Sequence, residues 1–263
     1  MDWLPLFIAF IFGLPIGSFL NVVIWRLPRN ENIAFPPSHC PVCDAKIRAY
    51  DNIPVISYLI LKGECRDCGA KITPRYPIVE FTTALLFALA WPLTGSALGW
   101  DFAAAIILTI LGVAITGIDI DHRIIPDELS IGGLVVALIL APLRAGNWQG
   151  LLYAAIGAVL GAVLLYLVRV LGSAIFKKEA MGLGDVKLIA MIGAFVGWRG
   201  VLLTIFLASI LGTFGGVIAI AASKKARKER LIPFGPFLMA AGLISFYYGE
   251  TILRWYFDTF MEV

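Results

Sequence analysis

Residues 102–118, FAAAIILTILGVAITGI, carry no charge over 17 positions and run directly into Asp119. A helix crossing the hydrocarbon of a bilayer needs about 20 mostly apolar residues, with a working range of roughly 17 to 25. On that ruler the chain offers eight candidate spans: Trp3–Trp25, Ile78–Leu93, Phe102–Ile118, Leu129–Leu143, Leu151–Leu171, Val186–Trp198, Val201–Ala222 and Ile232–Phe257. The sixth is short and meets the seventh across Arg199-Gly200, as a tilted or re-entrant helix would. The first is too long for a cleaved signal peptide and lacks a basic flank before it, so it reads as a retained helix.

Composition agrees. Of 263 residues 60% are hydrophobic and 15% charged, with a mean hydropathy of +0.88. A soluble domain carries about a quarter charged residues. So little charge cannot cover a water-facing surface, which excludes a soluble enzyme and a disordered chain. A net charge of +3 implies no polyanion partner and so no nucleic acid. The expected fold is all-α: a polytopic membrane protein of about eight transmembrane helices. All but three of the 21 lysines and arginines fall on one side of such a chain; the exceptions are Arg144, Arg199 and Arg254. Positive charge marks the cytoplasmic side, so both chain ends face outward. The Lys224–Arg230 run is read as a topology signal and a contact with anionic membrane lipid.

The chain divides into a first transmembrane helix (1–27), a polar cytoplasmic loop (28–76) and a membrane core (77–263). The loop holds all four cysteines as Cys40-Pro-Val-Cys43 and Cys65-Arg-Asp-Cys68, with 21 residues between the knuckles. Two CxxC pairs at this spacing can close a thiolate tetrahedron around zinc. The cytoplasm is reducing, so disulfides are not expected there. Cys40, Cys43, Cys65 and Cys68 are therefore the expected ligands of a structural zinc. His39 reads as a flanking surface residue, and Gly69 suits a tight turn after the second knuckle.

Two acidic groups stand at span ends on the same, cytoplasmic side. One runs from Asp119 through Asp121, His122 and Arg123 to Ile125-Pro126-Asp127; the other is Gly182-Leu-Gly184-Asp185. Acidic residues at membrane depth are costly and read as functional. Two carboxylates about 3 Å apart cannot both ionise, so one can keep a proton while the other activates water. Asp127 reads more simply as an N-cap, and Asp121 as a solvated loop charge. Paired aspartates also suit a cation transporter or channel. That alternative requires ionisable residues near the centres of several spans, and only Asn21 and Glu80 approach this.

Several stretches together resemble the bacterial type IV prepilin peptidases, membrane aspartic proteases with a GxGD motif. These are Gly13 to Val22 (GLPIGSFLNV), Arg26-Leu27-Pro28, the two CxxC knuckles, Pro74-Arg75-Tyr76-Pro77 with Val79-Glu80, Asp119 to Asp127, Gly182 to Asp185, and Ile232-Pro233-Phe234-Gly235-Pro236. The resemblance implies an enzyme of the bacterial inner membrane that cuts the basic leader from prepilins or pseudopilins at the cytoplasmic face. It also implies N-methylation of the new terminus with S-adenosylmethionine as donor. Carried over, the catalytic pair is Asp119 and Asp185, with Asp121 still open as a neighbour.

Overall fold

The computed structural model describes residues 3–179, 181–222 and 233–260; their regular structure is helical, with no strand among them. The basic run Lys224–Arg230 lies outside the described residues. Two compact units make up the chain, one reaching to Ala97 and the other beginning at Leu98.

In the first unit, α1 (Trp3–Arg26) packs on α3 (Arg75–Leu93). The contact is backbone to backbone: a Cβ on Gly13 would stand 2.5 Å from the Ala84 Cα, and one on Gly17 2.7 Å from the Glu80 Cα. Membrane helices associate through such small-residue seams because lipid gives no hydrophobic drive between them. The cysteine loop leaves α1 through the buried Arg26, whose guanidinium donates to the carbonyls of Asn32 and Pro36. A short helix, α2 (Ile56–Ile60), follows the first knuckle. The Glu80 carboxylate accepts the Val55 N–H at 2.7 Å, which ties the loop to α3.

The second unit holds α4 (Trp100–His122), α5 (Asp127–Ala145), α6 (Gln149–Phe176), α7 (Leu183–Ala222) and α8 (Gly235–Phe260). Leu108, Ile115, Leu188, Met191, Ile192, Leu238 and Met239 form the centre of its core. α7 is not one rod. Gly197 has φ 71° and ψ −179°, a conformation outside the helix that L side chains rarely adopt. Gly161 of α6 lies against both Ile189 and Val201, so the arms on either side of Gly197 double back on one another. The sixth and seventh expected spans are thus the arms of one hairpin. The turn falls at Gly197 and not at Arg199-Gly200, because the Tyr153 ring occupies the place of a Cβ there, 1.9 Å away.

Six of the described helices are long and apolar enough to cross a membrane, α7 counted once. Their outer faces expose Leu152, Ile156, Val159 and Val163 of α6 and Phe206, Phe214 and Val217 of α7. On a soluble protein so large an apolar surface would demand a partner; on helices long and apolar enough to cross a membrane it needs none.

Candidate functional site

The helical period decides which aspartate at the end of α4 turns inward. Gly112, Ile115 and Asp119 recur at spacings of three and four, so they share the face packed on the core. Asp119 is only 5% exposed, whereas Asp121, two residues on and nearly opposite around the helix, is exposed. Arg123 closes the helix in the left-handed region at φ 58°, donating its N–H to the Asp119 carbonyl at 2.9 Å. The Asp119 side chain reaches the start of α8, where Oδ2 accepts the Gly235 N–H at 2.9 Å. First-turn amides of a helix have no partner within it, so this carboxylate satisfies one of them.

Asp185 stands in the first turn of α7, half-buried, and accepts the backbone N–H of Gly182. Its carboxylate lies close enough to Asp119 for the two charges to act on each other. The segment before it is held from α6: Arg169 donates to the Met181 carbonyl at 3.0 Å and pairs with Glu179 at 2.6 Å. Gly184 is small for a reason. A Cβ there would come within 3.0 Å of the Ile125 Cβ, so the glycine lets the loop before α5 lie against the turn that carries Asp185. Lys187 then binds both oxygens of Asp127 at 2.7 Å.

The N-cap reading of Asp127 is therefore corrected. Pro126 occupies the cap position and Asp127 is the first helical residue, with its carboxylate turned to Lys187. The structure brings Asp119 and Asp185 together and leaves Asp121 on the outer face. Sequence reasoning missed two partners, the Gly235 amide and Lys187. The only local signal was the Ile232–Pro236 motif that holds Gly235; Lys187 lies two residues beyond the Gly182–Asp185 motif and carried none.

The ion pair is half-exposed, and pairs of that kind contribute at most about 1 kcal/mol. Its expected effect is on the placement of Asp185. Lys187→Asp or Asp127→Lys should each slow turnover several-fold, and the double exchange should recover most of the rate. If the exchange is no better than the worse single variant, the pair does not position Asp185.

In the first unit the two knuckles repeat one geometry. The Cys40 N–H donates to Ala45 and the Cys65 N–H to Ala70, and Asp44 and Gly69 hold the same left-handed position, φ 60° and φ 70°. The four sulfurs lie within 4.8 Å of one another, with Cys40 and Cys68 at 3.8 Å. Zinc–sulfur bonds of about 2.3 Å in a tetrahedron put sulfurs about 3.8 Å apart, so this donor set fits a metal ion. The backbone amides of Cys43 and Val42 aim at the Cys40 sulfur and hold that thiol down to about 6. Asp51 is held below the usual carboxylate range by hydrogen bonds from Arg66, 2.6 Å away.

Known proteins resemble the chain along its whole length. Residues 11–93 match the Bacterial Peptidase A24 N-terminal domain, and residues 102–217 match the Type IV leader peptidase family. A protein named Prepilin leader peptidase/N-methyltransferase from Aeromonas hydrophila is 39% identical, the match covering 99% of this chain and 97% of that one. One of the same name from Pseudomonas aeruginosa is 39% identical over 93% of this chain and 90% of its own. A Type 4 prepilin-like proteins leader peptide-processing enzyme from Escherichia coli O78:H11 is 40% identical over 91% and 93%. No solved structure matches. Both matched regions fall in order on the two units, and the chain belongs to the type IV leader peptidase family.

Proposed function

We propose that this protein removes the basic leader from a type IV prepilin or pseudopilin at the cytoplasmic membrane face, with Asp119 and Asp185 as the catalytic pair. The observation that carries this is a buried carboxylate and a half-buried one within electrostatic reach, at the ends of two apolar helices. A substrate that is itself an apolar helix with a basic leader would lie beside such spans, its cut bond at the depth of their cytoplasmic ends. One carboxyl keeps its proton and polarises the scissile carbonyl; the other takes a proton from water as it attacks. The proton then passes to the leaving amine. Gly182, whose missing Cβ would lie 3.5 Å from the Asp185 carboxylate, keeps a side chain away from the approaching peptide backbone.

A cation transporter gains nothing from the geometry. Asn21 donates to the carbonyls of Gly17 and Tyr76, and Glu80 accepts from Val55, so both serve to tie down backbone.

N-methylation of the new terminus with S-adenosylmethionine is included in the reading because the relatives' names include it. No residue is assigned to it: among the described residues there is no strand followed by a glycine-rich turn and helix. Cys40, Cys43, Cys65 and Cys68 would hold zinc with all four positions closed, so its part is to fold the loop.

The test is incubation of the purified chain with a model prepilin in detergent, followed by mass measurement of the product. Loss of the leader is expected, with one added methyl group when S-adenosylmethionine is supplied. An uncut substrate under conditions where a relative cuts it would sink the proposal.

Metal analysis is expected to find one zinc per chain, falling to near zero when any ligand cysteine becomes serine. Cleavage should suffer less than methylation in those variants, because both aspartates belong to the second unit. Zinc-free protein with an intact loop would overturn the assignment.

A further inference from the structure

At the end of the second unit opposite Asp119 lies a cavity of about 590 Å³. The reason it exists is the hairpin in α7. The first arm, residues 183–196, spans only about 21 Å at 1.5 Å per residue, short of a hydrocarbon layer of about 30 Å. Broken backbone at that depth is tolerated only where it is buried in protein or faces a polar cavity. Arg144 meets part of that need by donating to the Phe195 carbonyl at 2.8 Å, a cation at the end of the first arm.

The cavity wall is unusual in its charge. Arg144, Arg199 and Arg254, the three basic residues on this side of the chain, all line it, with Asp101 and Glu250 as its two acids. Asp101 pairs with Arg144 at 2.8 Å and Glu250 with Arg254 at 3.0 Å. Arg199 is left without a carboxylate partner among the described residues and lies over the Trp198 ring at 5.1 Å. Ser245, 5% exposed, also lines the space, and its buried Oγ has no hydrogen-bond partner. One cation is therefore uncompensated, and two buried hydroxyls, those of Ser245 and Tyr247, lack a hydrogen-bond partner among the described residues in the same cavity.

The helix below Arg199 names the occupant. Leu202, Phe206 and Ile210 follow it at i+3, i+7 and i+11, so they continue its face along the second arm of α7, and all three are exposed. A guanidinium above an exposed apolar stripe matches a phosphate with an acyl chain beneath it. Tryptophan beside it suits the depth of the membrane interface.

We propose that this cavity seats the phosphate of an anionic phospholipid from the outer leaflet, bound by Arg199 and the Ser245 hydroxyl, with an acyl chain along Leu202 and Phe206. Arginine is suited to phosphate because its planar fork can donate two hydrogen bonds at once. The remaining charges of the cavity are already paired, so a zwitterionic lipid would leave Arg199 less well balanced.

Native mass spectrometry of the full chain, released from detergent with phosphatidylglycerol or phosphatidylcholine added, tests this. Wild type should retain phosphatidylglycerol about fivefold better, the ratio expected for one basic residue near a membrane surface. Arg199→Gln should bring the ratio to parity, whereas Arg254→Gln, whose charge is already paired, should keep it. Arg199 is exposed, so its replacement spares the core. Ser245→Ala should weaken retention without abolishing the preference. Equal retention of both lipids by wild type, or a preference that survives Arg199→Gln, would overturn the proposal. So would displacement of the lipid by inorganic phosphate at matched concentration, which would make the site one for free phosphate.

Discussion

Asp119→Asn and Asp185→Asn are each expected to lower leader removal by about 10²- to 10⁴-fold, the range over which a positioned acid or base contributes. Asparagine is the informative replacement. At position 119 its amide oxygen can still accept the Gly235 N–H at 2.9 Å, so the local fold is kept while the titrating group is lost. The double variant should be scarcely worse than either single one, because residues that act as a unit are not additive. Asp→Glu should fail as well, since one methylene displaces the carboxylate by about an ångström and such errors can cost ~100-fold. Asp121→Asn is the control: that side chain stands on the exposed face of α4 and should leave the rate near wild type. Near-normal cleavage by either 119 or 185 variant would discard the pair.

The cysteine knuckles and the apolar spans were legible because each is a local pattern, set by spacing within about 20 residues. What was not legible is contact between distant segments. Gly235 and Asp119 are 116 residues apart, and Lys187 and Asp127 are 60 apart. No periodicity in either stretch records the other. The α7 turn shows the same limit at shorter range. Gly193, Gly197 and Gly200 all offer a break by composition, and it is Tyr153 on another helix that selects Gly197. Asp127 was misread because Asp before Glu and an apolar run is a sound capping pattern, and the lysine that claims its carboxylate arrives from α7. Asp119 could be preferred over Asp121 by family resemblance, but the physical reason, inward against outward on one helix, needed the packing of α4.

Gly235→Ala is expected to cost about 100-fold in cleavage while leaving the protein folded. A Cβ on Gly235 would stand 2.6 Å from the Asp119 Oδ2, closer than real Cβ atoms approach, and 3.2 Å from its Cγ, a tight contact. Something must move, and the end of the Asp119 side chain is the most mobile atom group in the contact. Alanine is otherwise favourable at this position, since it is the better helix former and the glycine sits at the start of α8 in no left-handed conformation. The clash therefore displaces the carboxylate by a fraction of an ångström to an ångström, enough for a large loss of rate where positioning matters. The loss should appear in kcat with KM little changed, because no surface offered to the substrate helix is altered. Gly132→Ala is the matching control: nothing lies within 4 Å of the added carbon, and cleavage should be unaffected. A Gly235→Ala enzyme that cleaves as wild type while Gly132→Ala does the same would mean that the exact seat of the Asp119 carboxylate is immaterial, which an acid–base role for it does not allow.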